Sequence, residues 1–337
     1  MKRTVLVAIV MAFILLVANF YYFTPASFIA KNQGTVLDDN WYQALTWISQ
    51  NTEECAVIAT YWDPGHFITG LARRPVVFDG AHQSDTLYFD DSRYSDMEEN
   101  DIRLENYDNG IVQIINKAYN SETGDVTLFR ARIKDIAISL FTSNESLALK
   151  YLEDYRQPGC SEFYYIASSD LIGKSTWWTY FATWSPEGSP RPCNSELNKG
   201  SCYNYITVGL QQARPSPADN AIIYSYPFST QQSFLIYEIN SSRRAFVQQG
   251  STVGTVENLL FFSQNSGIIS RNENAEVPGL LIQSPDKSSV IFVPSELQGS
   301  MYTRLMFLDG SGLGNFKLVN NWGGEVKLYR VTFPESS

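Results

Sequence analysis

The chain has 337 residues, of which 44% are hydrophobic, and it carries a formal net charge of -10 at pH 7. The hydrophobic content excludes a disordered protein, and the acidic balance, with no basic stripe to offset it, argues against nucleic acid as a partner. Acidic residues gather within residues 85–108, a stretch that we predict to be a solvated surface loop.

The first predicted element is a membrane-spanning helix. An apolar run over residues 4–23, interrupted by Asn19 alone, is long enough at about 1.5 Å per residue to cross a hydrocarbon core of about 30 Å. Lys2 and Arg3 precede this run. The positive-inside rule therefore predicts a single-pass protein of the cell membrane with a cytoplasmic N-terminus and an extracytoplasmic globular part. A cleaved signal peptide is the alternative, but its apolar core is usually only about 7 to 15 residues long.

The next segment has the pattern of a mixed α/β unit. Asp38, Asp39 and Asn40 offer cap oxygens to a helix that ends near Asn51. After it we predict a strand at residues 56–60, a turn at Pro64-Gly65, a helix at residues 67–72 and a strand-like segment at residues 75–78.

Two further helices and a strand are predicted before residue 190. Residues 128–140 have helical periodicity, and Thr142-Ser143-Asn144-Glu145 has the form of a capping box that opens a helix through Tyr155. Residues 163–167 have the character of a buried strand, and Ser168-Ser169-Asp170 caps a helix that continues through Trp178.

Beyond residue 190 the pattern changes to short alternating runs at residues 233–239, 259–262, 279–283 and 289–293, which is typical of β structure. The predicted fold class is therefore α+β. We expect a transmembrane anchor at residues 1–25, a mixed α/β central domain at residues 26–190 and a β-rich peripheral domain at residues 191–337.

The four cysteines, Cys55, Cys160, Cys193 and Cys202, lack the paired CxxC spacing of a zinc site. Cys193 and Cys202 bracket a short polar segment. The sequence is compatible both with a disulfide that closes this loop and with a pair of free thiols.

The strongest local motif is Tyr61-Trp62-Asp63-Pro64-Gly65, which lies where a predicted strand ends and a helix is about to begin. In open α/β sheets, ligands bind at this edge. A phenol O–H, an indole N–H and a carboxylate together can hold a small hydroxyl group, because the carboxylate accepts its proton while the aromatic groups donate to its oxygen. The alternative is a tryptophan packed in the core with Asp63 capping a turn.

The surrounding segment, residues 40–83, resembles the membrane-proximal core of archaeal and eukaryotic oligosaccharyltransferase catalytic subunits. The resemblance implies that Tyr61, Trp62, Asp63 and Gly65 bind the hydroxyl at the +2 position of an Asn-x-Ser/Thr acceptor sequon. Tyr61 departs from the family pattern, which has a tryptophan there, and Pro64 takes a variable position. The matching residues are Trp62, Asp63, Gly65, Ile68, Arg74, Asp79 and Gly80.

A second motif follows at four-residue steps, Asp170, Lys174 and Trp178, so that all three side chains should project from one face of the predicted helix. The run YYIASSDLIGKSTWW resembles the Asp-Lys motif of the archaeal members, and the resemblance implies that these residues complete the +2 pocket. The alternative is an exposed ion pair worth about 0.3 to 0.5 kcal/mol.

Taken together, the resemblance implies the acceptor-sequon recognition domain of a glycosyltransferase that moves a lipid-linked oligosaccharide to asparagine in protein N-glycosylation. In this family a divalent metal, Mn or Mg, is held by acidic loops of a multi-pass membrane domain, so no catalytic residue or metal ligand is expected in this chain. Its expected partners are the acceptor polypeptide, the membrane and, through that membrane domain, the lipid-linked oligosaccharide. The alternative is a stand-alone membrane-anchored extracytoplasmic binding or structural module without transferase activity.

Overall fold

The computed structural model describes residues 37–334 apart from residues 82, 84, 188–202, 217–219 and 264–265, and in addition residues 11 and 17. Two compact units are present, Met1–Ala44 and Leu45–Ser337. Within the described part of the chain, no helix is long and apolar enough to cross a membrane. The predicted membrane helix at residues 4–23 lies outside the described residues, apart from positions 11 and 17, and stays a prediction.

The first sheet is built on two parallel strands. β1 (Val57–Ala59) pairs with β6 (Phe163–Ser168). The two strands predicted at residues 56–60 and 163–167 are thereby confirmed. β17 (Val326–Val331) pairs antiparallel with β6, and β16 (Phe316–Trp322) completes the order β1-β6-β17-β16. Every residue of β6 is buried, which is typical of a strand covered on both faces. Strands from beyond residue 190 therefore complete the sheet that the α/β segment begins.

The acidic stretch is a surface loop only in part. Residues 90–101, which carry most of its carboxylates, form an exposed connection between two strands, as predicted. The flanking strands, β2 and β3, were not predicted, because strand pairing between distant segments is invisible to a local count of charges. They belong to a second, antiparallel sheet in the order β2-β5-β4-β3. The strands are β2 (Thr86–Phe89), β3 (Ile102–Asn106), β4 (Val112–Tyr119) and β5 (Val126–Ala131).

One acidic residue of this stretch, Glu105, binds donors instead of facing water. Its carboxylate accepts hydrogen bonds from the hydroxyls of Tyr94, Tyr107 and Tyr151. It also forms an ion pair with Lys150, with Nζ and Oε2 3.2 Å apart. Burial alone favours the neutral carboxyl, but these donors outweigh it and lower the pKa of Glu105 from 4.5 to about 2. Glu105 thereby joins β3 to the helix that carries Tyr151.

Stability should depend on the ionisation of Glu105. Because its pKa is lower in the folded chain than in the unfolded chain, the carboxylate stabilises the fold above about pH 4.5, and this contribution is lost as the pH falls toward about 2. We expect Glu105→Gln to lower the free energy of unfolding by about 3 kcal/mol at pH 7 and by much less at pH 2, measured by urea unfolding. The exposed Glu98→Gln is the control and should change stability little at either pH. An equal loss from Glu105→Gln at both pH values would contradict the role of its charge.

The third sheet has the order β7-β15-β14-β12-β11-β10-β9-β8, with β13 paired to β12 as well. β12 and β14 are parallel, and the other pairs are antiparallel. The strands predicted within this part of the chain are confirmed. Its members are β7 (Ile206–Gly209), β8 (Gln212–Ser216), β9 (Ala221–Pro227), β10 (Gln232–Ile239), β11 (Ser242–Gln249), β12 (Thr252–Ser263), β13 (Ser266–Arg271), β14 (Val277–Gln283) and β15 (Ser289–Pro294).

The first described helix, α1 (Asp39–Asn51), begins and ends as predicted, and Asp38 Oδ1 accepts the N–H of Trp41 at 2.9 Å as its cap. The other described helices are α2 (Trp62–Phe67), a π-helix (Ile68–Ala72), α3 (Arg132–Phe141), α4 (Glu145–Glu153), α5 (Ser175–Thr183), α6 (Ser295–Gln298), α7 (Met301–Leu308) and three 3-10 helices (Ser92–Tyr94, Asp108–Gly110 and Ser169–Lys174).

Two helix starts differ from the predictions. The helix predicted at residues 128–140 begins only at Arg132, because Leu128 and Arg130 are buried on one face of β5 with the two-residue period of a strand. α4 is capped by Asn144 and not by Thr142: the side chain of Asn144 accepts the N–H of Ser146 at 3.0 Å from the extended backbone that an N-cap requires. The domain division predicted at residue 190 falls among residues outside the description and stays a prediction.

Candidate functional site

The motif from Tyr61 to Gly65 lies at the end of β1. α2 begins directly after the strand, and Pro64 occupies its first turn, where the helix needs no N–H donor. The predicted turn at Pro64-Gly65 is therefore wrong, since both residues are helical. Trp62 is 44% exposed, and its indole stacks on the ring of Phe78 with centroids 6.3 Å apart. A flat aromatic surface is thus presented to solvent at this edge of the sheet.

The second motif begins where β6 ends. The 3-10 helix at Ser169–Lys174 follows β6 directly, and α5 continues from Ser175. Because β1 and β6 are neighbouring parallel strands, the segments that follow them emerge at the same edge of the sheet. This topology brings together Asp63 and Lys174, which are 111 residues apart in sequence.

Lys174 binds both carboxylates of the two motifs. Its Nζ donates to Asp63 Oδ2 at 2.5 Å and to Asp170 Oδ2 at 3.2 Å. Burial lowers the pKa of Lys174, but the two carboxylates outweigh it and raise the pKa above its usual 10.5, so the ammonium group is charged at neutral pH. Since an ammonium has three donors and each carboxylate several lone pairs, the group retains both a donor and acceptors for an incoming hydroxyl.

Tyr61 and Trp178 form the floor beneath Lys174. Tyr61 is 1% exposed, and its hydroxyl has no hydrogen-bond partner among the described residues. The ring of Tyr61 lies 5.1 Å from Lys174 Nζ and packs edge-on against Trp178, with centroids 5.7 Å apart. Tyr61 therefore presents its ring face to the ammonium, a cation–π arrangement, and not the phenol donor that the sequence suggested.

The three residues of the second motif do not share one exposed face. Trp178 is buried, whereas the side chains of Asp170 and Lys174 are about 40% exposed. The reason is the change from a 3-10 helix to an α-helix at Ser175, because the two helix types turn by different angles per residue. Trp178 supports the site from below and does not reach its surface.

Gly65 allows α2 to approach the segment before Gly80. A Cβ at Gly65 would lie 2.6 Å from the carbonyl oxygen of Phe78 and 2.9 Å from Asp79 Cβ. We expect Gly65→Ala to lower the free energy of unfolding by about 1 to 3 kcal/mol, measured by thermal or denaturant unfolding. Gly70→Ala is the matched control: a Cβ there meets nothing within 4 Å, so the change should be neutral or stabilising by up to about 1 kcal/mol. Similar losses at both positions would contradict the close approach at Gly65.

Two of the residues that match the family pattern serve the local structure. Arg74 is buried and donates to the carbonyl oxygens of Ser49 and Thr52, each at 2.8 Å, which completes the C-terminal end of α1. Asp79 Oδ1 accepts the N–H of Ala81 at 2.9 Å and so shapes the turn at Gly80.

Two residues near the site were not singled out from the sequence. Phe78 supports Trp62, and the hydroxyl of Thr69 donates to Asp79 Oδ2 at 3.0 Å. Neither contact has a sequence spacing that would reveal it, because both depend on how the chain turns back after the π-helix, at Arg73, where φ is +55°.

One group of metal-ligating residue types occurs in the described part of the chain, formed by Glu53, Cys55 and Cys160. Cys55 and Cys160 form a disulfide with Cα atoms 5.8 Å apart, and sulfurs in a disulfide are not thiolate ligands. This group does not fit Mn or Mg, which take several oxygen ligands. The disulfide was not predicted. The suggested Cys193–Cys202 pair lies outside the described residues, and the divalent metal implied by the resemblance stays an expectation.

Comparison with known proteins extends over most of the chain. The dolichyl-phosphooligosaccharide-protein glycotransferase of Methanocaldococcus jannaschii is 26% identical over 312 residues, which cover 84% of this chain. This chain is similar to archaeal oligosaccharyltransferases. It spans about a third of the length of the curated relatives it matches, 32% and 35% for the first two. No family model matches the chain.

Solved oligosaccharyltransferases are also similar to the chain. The C-terminal globular domain from Pyrococcus abyssi is 14% identical, with a TM-score of 0.44, and covers 86% of this chain and 50% of that one. The Archaeoglobus fulgidus oligosaccharyltransferase tethered to an acceptor peptide containing the NVT sequon is 14% identical, with a TM-score of 0.39, and covers 92% of this chain and 27% of that one. The resemblance predicted from the sequence is confirmed by the glycotransferase relatives.

Proposed function

We propose that this chain is the acceptor-recognition part of an oligosaccharyltransferase, binding the Asn-x-Ser/Thr sequon at the site formed by Trp62, Asp63 and Lys174. The observation that carries the proposal is the Lys174 ion pair with Asp63, which joins the two motifs at one edge of the sheet. The similarity to archaeal glycotransferases over 84% of the chain supports the same reaction class.

The geometry suits a small hydroxyl. Two of the three Lys174 donors are occupied by Asp63 and Asp170, which leaves one for the oxygen of a serine or threonine hydroxyl. Asp63 Oδ1 can accept the proton of that hydroxyl, and the exposed face of Trp62 can pack against the peptide. Recognition of this kind fixes the position of the acceptor asparagine and contributes to transfer through orientation.

The rest of the reaction is proposed to depend on other chains or segments. A multi-pass membrane domain would bind the lipid-linked oligosaccharide, and its acidic loops would hold the divalent Mn or Mg that polarises the leaving phosphate. We also propose an extracytoplasmic location beside the cell membrane. The Cys55–Cys160 disulfide supports this location, because such bonds persist in oxidising compartments.

Peptide binding tests the proposal. The full chain, purified in detergent, is titrated with an Asn-x-Thr peptide and with the matching Asn-x-Ala peptide. We expect the threonine peptide to bind at least about tenfold more tightly, since about 1.4 kcal/mol of hydrogen bonding corresponds to a factor of ten. Lys174→Met and Trp62→Ala should each remove most of this difference.

Trp184→Ala is the matched control, because Trp184 has the same 44% exposure as Trp62 and belongs to neither motif. It should leave the preference for threonine unchanged. Equal affinity of the unaltered chain for both peptides would contradict the proposal. It would favour a membrane-anchored binding or structural module without transferase activity.

A further inference from the structure

The third sheet contains a fork. β12 pairs with β11 through residues Thr252 to Thr255 and with β13 through residues Asn258 to Ser263. β11 and β13 follow one another along the same edge of β12, since β14 occupies the opposite edge. The two strands therefore diverge near Val256 and leave a gap between them.

This gap is a cavity of about 190 Å³. Arg244 of β11 and Arg271 of β13 line it from its two sides, and Ser270, Asn272 and Thr255 add polar groups. Phe246 supplies an apolar wall. Both arginines are exposed, so the cavity can be entered from solvent.

Neither arginine is paired with a carboxylate among the described residues. Most other arginines in the described part of the chain bind carboxylates or carbonyl oxygens, whereas Arg244 and Arg271 have no side-chain ion pair or hydrogen bond there. The carboxylates of Glu276 and Glu257 accept the backbone N–H groups of Thr255 and Gly279 and bind neither arginine. Two arginines that are unpaired among these residues thus line one cavity in a chain whose net charge is -10.

We infer that this fork, lined by Arg244 and Arg271, binds a phosphate group. Two positive charges at one cavity repel each other when it is empty, and an anion between them removes that repulsion. Guanidinium groups donate paired N–H bonds to planar or tetrahedral oxyanions. A phosphate monoester carries a charge of about -1.5 to -2 at neutral pH and so matches two arginines better than a carboxylate does. The side chains of Ser270, Thr255 and Asn272 can bind the remaining oxygens.

Titration with inorganic phosphate tests the inference. The full chain in detergent is titrated calorimetrically with phosphate, with chloride at the same ionic strength as the blank. We expect saturable binding that Arg244→Gln and Arg271→Gln each weaken at least about tenfold, as expected for loss of one charged hydrogen-bonding partner. Arg214→Gln is the matched control, because Arg214 is an exposed arginine on β8 with no ion pair among the described residues. It should bind phosphate like the unaltered chain.

The source of the phosphate group is resolved in two further titrations, one with glucose 1-phosphate and one with vesicles that contain phosphatidic acid. Tighter binding of either ligand than of inorganic phosphate, lost in the two cavity variants, supports the site and identifies the source. Unsaturable binding to the unaltered chain, or an equal loss in Arg214→Gln, would overturn the inference. Because both cavity arginines are exposed, their variants should unfold at the same urea concentration as the unaltered chain, and this measurement verifies that folding is intact.

Discussion

Removal of the Cys55–Cys160 disulfide is expected to lower the free energy of unfolding by about 4 to 5 kcal/mol. The bond joins residues 105 positions apart, and a cross-link that closes so long a loop restricts the unfolded chain more than a short one would. It also ties the segment before β1 to the segment before β6, beside the parallel pair on which the site depends. The measurement is urea unfolding of Cys55→Ser/Cys160→Ser against the unaltered chain.

Glu53→Gln provides the control for this pair of substitutions. Glu53 lies beside both sulfurs, 3.4 Å from Cys55 Sγ and 3.2 Å from Cys160 Sγ, so its substitution perturbs the same surface without breaking the covalent bond. We expect Glu53→Gln to lower the free energy of unfolding much less than the double cysteine variant does. If the double variant unfolded at the same urea concentration as the unaltered chain, the cross-link would not be a source of stability.

The second large effect is expected at Asp135. Its carboxylate is fully buried and accepts from Arg130 Nε at 2.7 Å and from the Tyr155 hydroxyl at 2.5 Å, with Gln113 as a further donor. Arg130 binds two carboxylates, the buried Asp135 and the partly exposed Asp154. Asp135→Asn removes the buried negative charge of this network and places an amide donor among other donors. We expect a loss of about 3 to 5 kcal/mol in the free energy of unfolding, the usual result of breaking a buried ion pair on one side.

Asp96→Asn tests whether the expected loss of stability in Asp135→Asn comes from the burial of its ion pair or from ion pairing as such. Asp96 binds Arg103 at 2.7 Å, but its side chain is 68% exposed, so solvent screens the pair and its loss should have little effect on unfolding. Equal unfolding free energies for Asp135→Asn and Asp96→Asn would mean that the buried network around Arg130 does not stabilise the fold.

Elements with a strong local pattern were predictable from the sequence. α1 combines cap oxygens with a regular apolar face, and β6 is a run of consecutive apolar and aromatic residues, so both were located to within about two residues. Four of the nine described strands of the third sheet, β10, β12, β14 and β15, were located from short apolar runs of the same kind. In each case the information lies within a few neighbouring positions, where sequence periodicity reports burial directly.

Features that depend on distant pairing were not predictable. β5 was taken as helix because its partners β2 and β4 decide its conformation, and the Cys55–Cys160 bond follows from the adjacency of β1 and β6 and from no spacing in the sequence. At the site, family resemblance indicated Asp63 and Lys174, but the burial of Tyr61 against Trp178 depends on side-chain packing. The sequence pattern identifies the residue types and leaves their orientation open.

The strand order β1-β6-β17-β16 has a consequence for the time at which the site can form. β6 lies between β1 and β17, and β17 ends at Val331. During synthesis at about 5 to 20 residues per second, β1 and β6 are made well before the strand that covers the other edge of β6. Until that strand is made, an edge of a buried, aromatic-rich strand stays unpaired, a condition that favours association with other chains. The two motifs that follow β1 and β6 therefore lie on a complete sheet only after β17 has been made.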